Sequence, residues 1–135
     1  MASVPEDLIV YLIAAGVSET AGGTLIEGPS PELPADVVVL THYDGEEAED
    51  RVMGPSLTAP GVEVSLVQLF VRNSLMATAK TKADAYHALL DGLNGTLSGR
   101  SYFNVESMDS MPYSIGQDSR ELWRMVCNFR VEHAR

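Results

Sequence analysis

The chain of 135 residues has a single cysteine, Cys127, which excludes an intramolecular disulfide and any CxxC zinc pattern. It is short of base, with nine lysines and arginines against nineteen acids and a formal charge of −10. A nucleic-acid-binding face is normally basic, so that class is disfavoured. No apolar run reaches the roughly 20 residues of a membrane span. The opening "MASVPEDLIVYLIAAG" has acids where a secretory signal carries bases. These absences lead to the expectation of a protein assembled in a reducing cytoplasm, with no membrane partner. With no linker, repeat or low-complexity tract, residues 1–135 read as one domain, large enough to fold without disulfide or metal.

Catalytic signatures are missing too. His42, His87 and His133 have no ligand-spaced neighbours of the HExxH or CxxC…H kind. There is no GxSxG elbow, and "TAGGT" and "LNGTLSG" lack the Lys-Ser/Thr ending of a phosphate loop. "YDGEEAED" gathers oxygen ligands, yet Asp44 alone precedes Gly45, so the calcium-loop pattern fails; an adventitious divalent ion on its carboxylates is the alternative to a solvated, self-repelling loop. No pair of groups is placed for acid–base work. The expectation is a protein that is not an enzyme and holds no cofactor or metal.

What is present is a pattern of two helices and several strands. "SVPEDL" reads as a helix start with Ser3 as N-cap, and the helix should stop at Gly16. It is apolar nearly all round, which predicts cover on more than one side. "GGTLIEG" and Val37 to Tyr43 read as strands. Asp44 to Gly61 reads as a long structureless loop, functional or mobile in kind. "VEVSLVQLFVR" is the strongest strand, and its alternation changes phase near Leu66. That change predicts either a bulge or cover on both faces by something beyond the chain's own helices. Met76, Ala79, Ala83, Tyr86, Leu90 and Leu93 mark the second helix. "YFNVESM" and the last strand follow, with "DSMPYSIGQDSRE" as a loop between them. The order favours an α+β fold, an antiparallel-rich mixed sheet with two main helices on one face.

The last strand, "LWRMVCNFRVEH", carries more than a core demands. Burying Trp123, Met125, Cys127, Phe129 and Val131 stabilises by about 8–15 kcal/mol before entropy. Cys127 is then a packing residue. The other parity holds Leu122, Arg124, Val126, Asn128 and Arg130, either a solvent face or a contact in which arginine forks meet a neighbour's carboxylates. The charge is also divided. Residues 1–63 hold twelve acids and one base, Arg51, whereas residues 64–135 hold seven acids and eight bases. Solubility accounts for such a split, and so does a head-to-tail ring joining an acidic face to a basic one.

Taken together, "PADVVVLTHYDGE" with its Tyr43-Asp44-Gly45, "VQLFVR" ending in Arg72 before an alanine-rich helix, and "PYSIGQDSRELWRMVCNFRV" resemble the tail terminator family of long-tailed bacteriophages, often labelled minor capsid proteins. Pro112, Gly116, Asp118 and Arg120 fall at the family's positions ahead of its final strand, and Asn128-Phe129-Arg130-Val131 resembles its ending. The likeness runs from about residue 24 onward. The very acidic loop and the apolar first helix depart from the family.

The resemblance implies a virion protein of the tail neck, assembled in the host cytoplasm. Its subunits form a ring, typically of six, that caps the head-proximal end of the tail tube, stops tube growth and meets the head connector. Arg72, Arg120, Arg124, Asn128 and Arg130 become candidate ring contacts. Asp44, Glu46, Glu47, Glu49 and Asp50 become candidates to line a lumen through which genomic DNA passes without specific binding. The alternatives are another head–tail joining or completion protein, and a small ligand-binding α+β domain, which an apolar pocket with convergent polar groups would favour.

Overall fold

In a computed structural model the described residues are 3–17, 19, 20, 22–29, 31, 34–49 and 62–134, with the backbone alone described at 44–49 and 62. The elements are α1 (Val4–Ala14), β1 (Leu25–Glu27), β2 (Val37–Glu49), β3 (Val62–Asn73), α2 (Met76–Leu90), β4 (Gly95–Leu97), β5 (Arg100–Ser107), β6 (Tyr113–Gln117) and β7 (Trp123–Ala134). The sheet runs β1-β2-β3-β7-β5-β4, with β6 also paired to β7. Among the described residues only β1 against β2 is parallel. The chain is therefore a single α+β unit with a mixed, mostly antiparallel sheet, as the element order implied.

Both helices pack on one face of that sheet. Leu8 and Leu12 of α1 and Ala79, Ala83, Tyr86 and Leu90 of α2 join Val38, Leu40, Val67, Leu69, Val71, Val105 and Met125, Cys127, Phe129 and Val131 of β7 in one core. Period-2 alternation in the strands and three-and-four spacing in α2 put these residues on facing surfaces. The Ser3 hydroxyl accepts from the Glu6 amide at 3.2 Å, and Gly16 adopts a φ of 92° where α1 stops.

α1 buries Val4, Leu8, Ile9 and Leu12 and leaves Val10, 58% exposed, and Ile13 to the outside. Two expectations are corrected. Residues 44–49, expected as loop, continue β2, with Asp44, Gly45, Glu46 and Glu49 paired to Leu66, Ser65, Val64 and Val62, and the rest of the expected loop lies outside the described residues. The long β3 supplies ladder partners, and backbone pairing overrides the poor strand preference of acids and glycine. The "DSMPYSIGQDSRE" loop contains β6. Both readings of the phase change in β3 are met in part: β3 keeps an unbroken register with β7, with Val64 buried on the face opposite Val67, Leu69 and Val71, and a bulge lies opposite Leu66 in β2. The register of β2 against β3 shifts between His42 and Asp44, opposite Val67 and Leu66, so Tyr43 is the extra residue of a bulge.

Cover on the second face comes in part from the chain itself. Arg72, only 4% exposed, donates to the backbone carbonyls of Pro31 (2.7 Å), Pro34 (2.7 Å) and Ala35 (2.8 Å). Three charge-assisted bonds draw this segment toward the sheet beside the buried Val37 and Val39.

Candidate functional site: the outer face of β7 and the β6 edge

The face of the sheet away from the helices can be read as rows across its strands. Val37, Arg72, Arg124 and Gly116 form one row, and Val39, Phe70, Val126 and Tyr113 the next. Beyond them lie Thr41, Gln68 and Asn128, then Asp44, Leu66, Arg130 and Glu106. An apolar row, Val39, Phe70, Val126 and Tyr113, thus lies between a row holding two arginines and the polar rows beyond. Leu122 and Val126 are buried within the single chain.

The candidate contact residues are distributed unequally over this surface. Arg124 is partly buried and lies along β6, donating to the carbonyls of Ile115 (3.3 Å), Gly116 (3.4 Å) and Gln117 (3.2 Å). Asn128 accepts from the Gln68 amide at 3.2 Å. Arg130 is ion-paired with Glu132 on its own strand and stands opposite Glu106. Carboxylates for that arginine therefore come first from its own chain. Arg72 is occupied inside the fold. Burial, and then the neighbouring Arg120, pull its pKa below the ordinary arginine value, while Asp118 and Asp36 oppose them.

The family-like residues build the turn that aims β6. Asp118 accepts from the amides of Arg120 (2.8 Å) and Leu122 (3.1 Å), and its guanidinium neighbour Arg120 lies 3.6 Å away. Partial burial of Asp118 works against ionisation, but the Leu122 and Arg120 amides and then the Arg120 and Arg72 cations outweigh it and lower the pKa. Gly116, at φ 87°, follows a second bulge, where the β6–β7 register shifts between Ser114 and Gly116 and leaves Ile115 over. Pro112 is buried.

Sequence reasoning missed Asp109, which joins β5 to β6 along one edge of β7. Its carboxylate accepts from the Asn128 amide at 2.9 Å, while the Met108 amide donates to the Asn128 carbonyl at 2.8 Å. The signal was an aspartate between two short strands, a residue type that bonds nearby backbone in turns.

Apolar exposure concentrates here. Phe103, Met108, Met111, Tyr113 and Ile115 are all exposed, and the Tyr43 hydroxyl reaches the Met108 sulfur at 3.8 Å. Phe103, like Tyr43 and Ile115, sits at a register shift. Bulges re-aim side chains, and here each one turns a large apolar group outward. The acidic residues Asp44, Glu46, Glu47 and Glu49 have described backbone only, and Asp50 lies outside the described residues, as does the remainder of the loop expected to line a lumen.

Elsewhere the chemistry is structural. Among the described residues no three His, Cys, Asp or Glu side chains form a metal-binding group, and no helix is long and apolar enough to cross a membrane. The carboxylates weighed for a divalent ion fall among the side chains not described. Cys127 is fully buried with its sulfur 3.3 Å from the Ser107 hydroxyl, and burial pushes the thiol pKa up. An open groove of about 450 Å³ between α1 and β1 is lined by Ile9, Val10, Leu25 and Ile26 with Glu6 and Glu27 at its rim. Glu27 already accepts from Ser3.

His133 is 2% exposed. Its Nδ1 lies 2.8 Å from the Ala134 carbonyl, which only accepts, so Nδ1 carries the proton and Nε2 accepts from the Ser65 hydroxyl at 2.8 Å. Burial is the main reason its pKa falls below 6.5. Below that value the unfolded chain binds a proton that the folded chain resists. The stabilising contribution is therefore complete above 6.5 and is lost as the pH falls from there toward the folded value. Melting temperature should drop across this window in the native chain, and His133→Phe should flatten that part of the profile. An identical profile in the variant would contradict this.

No protein-family model matches the chain, and no curated protein matches it in sequence. Among solved structures, its fold is similar to that of a chain in the virion of a native gene transfer agent (GTA) particle. The two superpose with a TM-score of 0.63 at 18% sequence identity, over 99% of this chain and 87% of that chain. At this identity the likeness establishes a shared fold.

Proposed function

We propose that this chain is a structural virion protein of a phage-like particle, and that it acts as a tail terminator. In this reading its copies close into a ring, six by analogy with the family, that caps the head-proximal end of the tail tube and meets the head connector. The observation that carries the virion role is the fold shared, over nearly the whole chain, with a component of a GTA virion. The terminator role rests on the sequence resemblance.

The outer face of β7 and the β6 edge supply what such a ring needs, a surface with apolar anchors and a polar surround. The reading requires no reaction, only complementary shape and charge. The acidic stretch after Tyr43 would suit a conduit, since repulsion keeps passing phosphates from adhering.

The test is tube growth. Polymerising tail tube protein with this chain present should give tubes of limited length bearing the chain at one end, visible by electron microscopy. Tubes of unchanged length with no chain at either end would contradict the terminator reading.

A further inference from the structure

The sheet ends in β1 and β4, strands of three residues each whose outer edges are defended by shortness, and these two strands cover part of the longer ones. β1 pairs with Val38–Leu40 of β2, and Gly28 continues the cover by donating to the Leu40 carbonyl at 3.2 Å and accepting from the Thr41 hydroxyl at 2.6 Å. β4 pairs with Arg100–Tyr102 of β5. The rest of the β5 edge is closed by the link after α2. Gly92 donates to the Val105 carbonyl at 2.6 Å, the Val105 amide donates to the Leu93 carbonyl at 3.0 Å, and the Ser107 amide donates to Asp91 at 2.9 Å.

Two stretches differ. Among the described residues, no second strand pairs with β6, and none pairs with β2 beyond Thr41 on the side away from β3. Open edges are usually defended by charge, proline or extreme shortness. β6 reads Tyr-Ser-Ile-Gly-Gln, five residues with a bulge at Ile115 but without charge or proline, and exposes Tyr113 and Ile115. The β2 stretch holds Asp44, Glu46, Glu47 and Glu49. Acids in a row repel a like edge, so β2 resists pairing with another β2. The Arg124 guanidinium lies along β6 and makes that edge the complement of an acidic strand.

We propose that β6 of one copy takes up the β2 edge beyond Thr41 of a second copy, extending the sheet from subunit to subunit. This rests on the ring reading and specifies its seam. The join is between unlike surfaces, so it closes into a ring or continues as a filament and does not stop at a dimer. Within each copy β2, β3, β7 and β6 alternate in direction. Copies in one orientation therefore place β6 antiparallel to the incoming β2. β6 is level with Val39 and Val37 of its own β2, through Val126–Phe70 and Arg124–Arg72, whereas the open β2 stretch lies further along that strand. Each join thus steps along the strand direction, as strands tilted to a ring axis require.

The experiment is native mass spectrometry of the full chain at low salt, with melting temperature as the control for folding. Wild type should assemble, Ile115→Glu should weaken self-association at least tenfold, and Ile115→Lys should retain it, because only the glutamate repels an acidic strand. Ile115 is 42% exposed, so both variants should melt close to wild type. Adding Glu46→Lys and Glu47→Lys to Ile115→Glu should restore assembly, which identifies β2 of a second copy as the occupant. Equal loss with glutamate and lysine, or no loss with glutamate, would overturn the proposal while leaving a ring in place. A wild-type chain that stays monomeric would overturn both the seam and the ring.

Discussion

Phe129→Ala should destabilise the chain by about 3–5 kcal/mol, among the largest losses available to a single core substitution. Phe129 is fully buried at the middle of β7, paired to Val67 on one side and Ser107 on the other, with its ring 6.0 Å from that of His87 on α2. It therefore touches both the sheet and the second helix. Collapse around the vacated ring is limited because two strands and a helix frame it. Urea titration should show the midpoint falling with an unchanged slope. A loss below about 1 kcal/mol would mean that the site repacks freely and that β7 is not the centre of the core.

Asp7→Ala should cost about 3 kcal/mol, for a different reason. Asp7 belongs to α1 and is 1% exposed. Its carboxylate accepts from the Tyr102 hydroxyl and lies 3.8 Å from the Arg100 guanidinium, whose side chain is 10% exposed. Burial and the Asp7 contact push the Tyr102 pKa up, so the phenol stays protonated and donating. Removing the carboxylate takes the acceptor from the Tyr102 hydroxyl and a counter-charge from beside Arg100 in the interior. Tyr102→Phe should cost less, about 1–2 kcal/mol, since it removes one donor and keeps the ion pair. If the two variants melt together within a degree or so of wild type, this polar tie does not hold α1 to the sheet.

Much of the framework was legible in the chain because periodicity reports burial. The odd residues of β7 and the three-and-four stripe of α2 could satisfy their apolar side chains in only one way. Ser3 and Gly16 marked the ends of α1 by chemistry that is local to a few residues. What was hidden depends on partners distant in sequence. Residues 44–49 look like loop until β3 is beside them, and the bulge at Tyr43 shows only in the pairing of β2 with β3. β6 is too short and too polar to declare itself, and only pairing with Trp123–Val126 makes it a strand. The roles of the arginines were the least legible. A guanidinium reaches several neighbours, and sequence does not say that Arg72 turns to Pro31, Pro34 and Ala35 or that Arg124 lies along β6.

The central claim is that copies of this chain join through unlike surfaces into a closed ring at the end of a tail tube. A subunit-resolved electron cryomicroscopy map of the assembled protein, alone or on tube ends, tests it most directly. The account predicts a single closed ring in which every subunit makes the same contact, with β6 and the outer side of β7 at the junction. Isolated subunits with that side facing water, or two-fold pairs joined through identical patches, would contradict it.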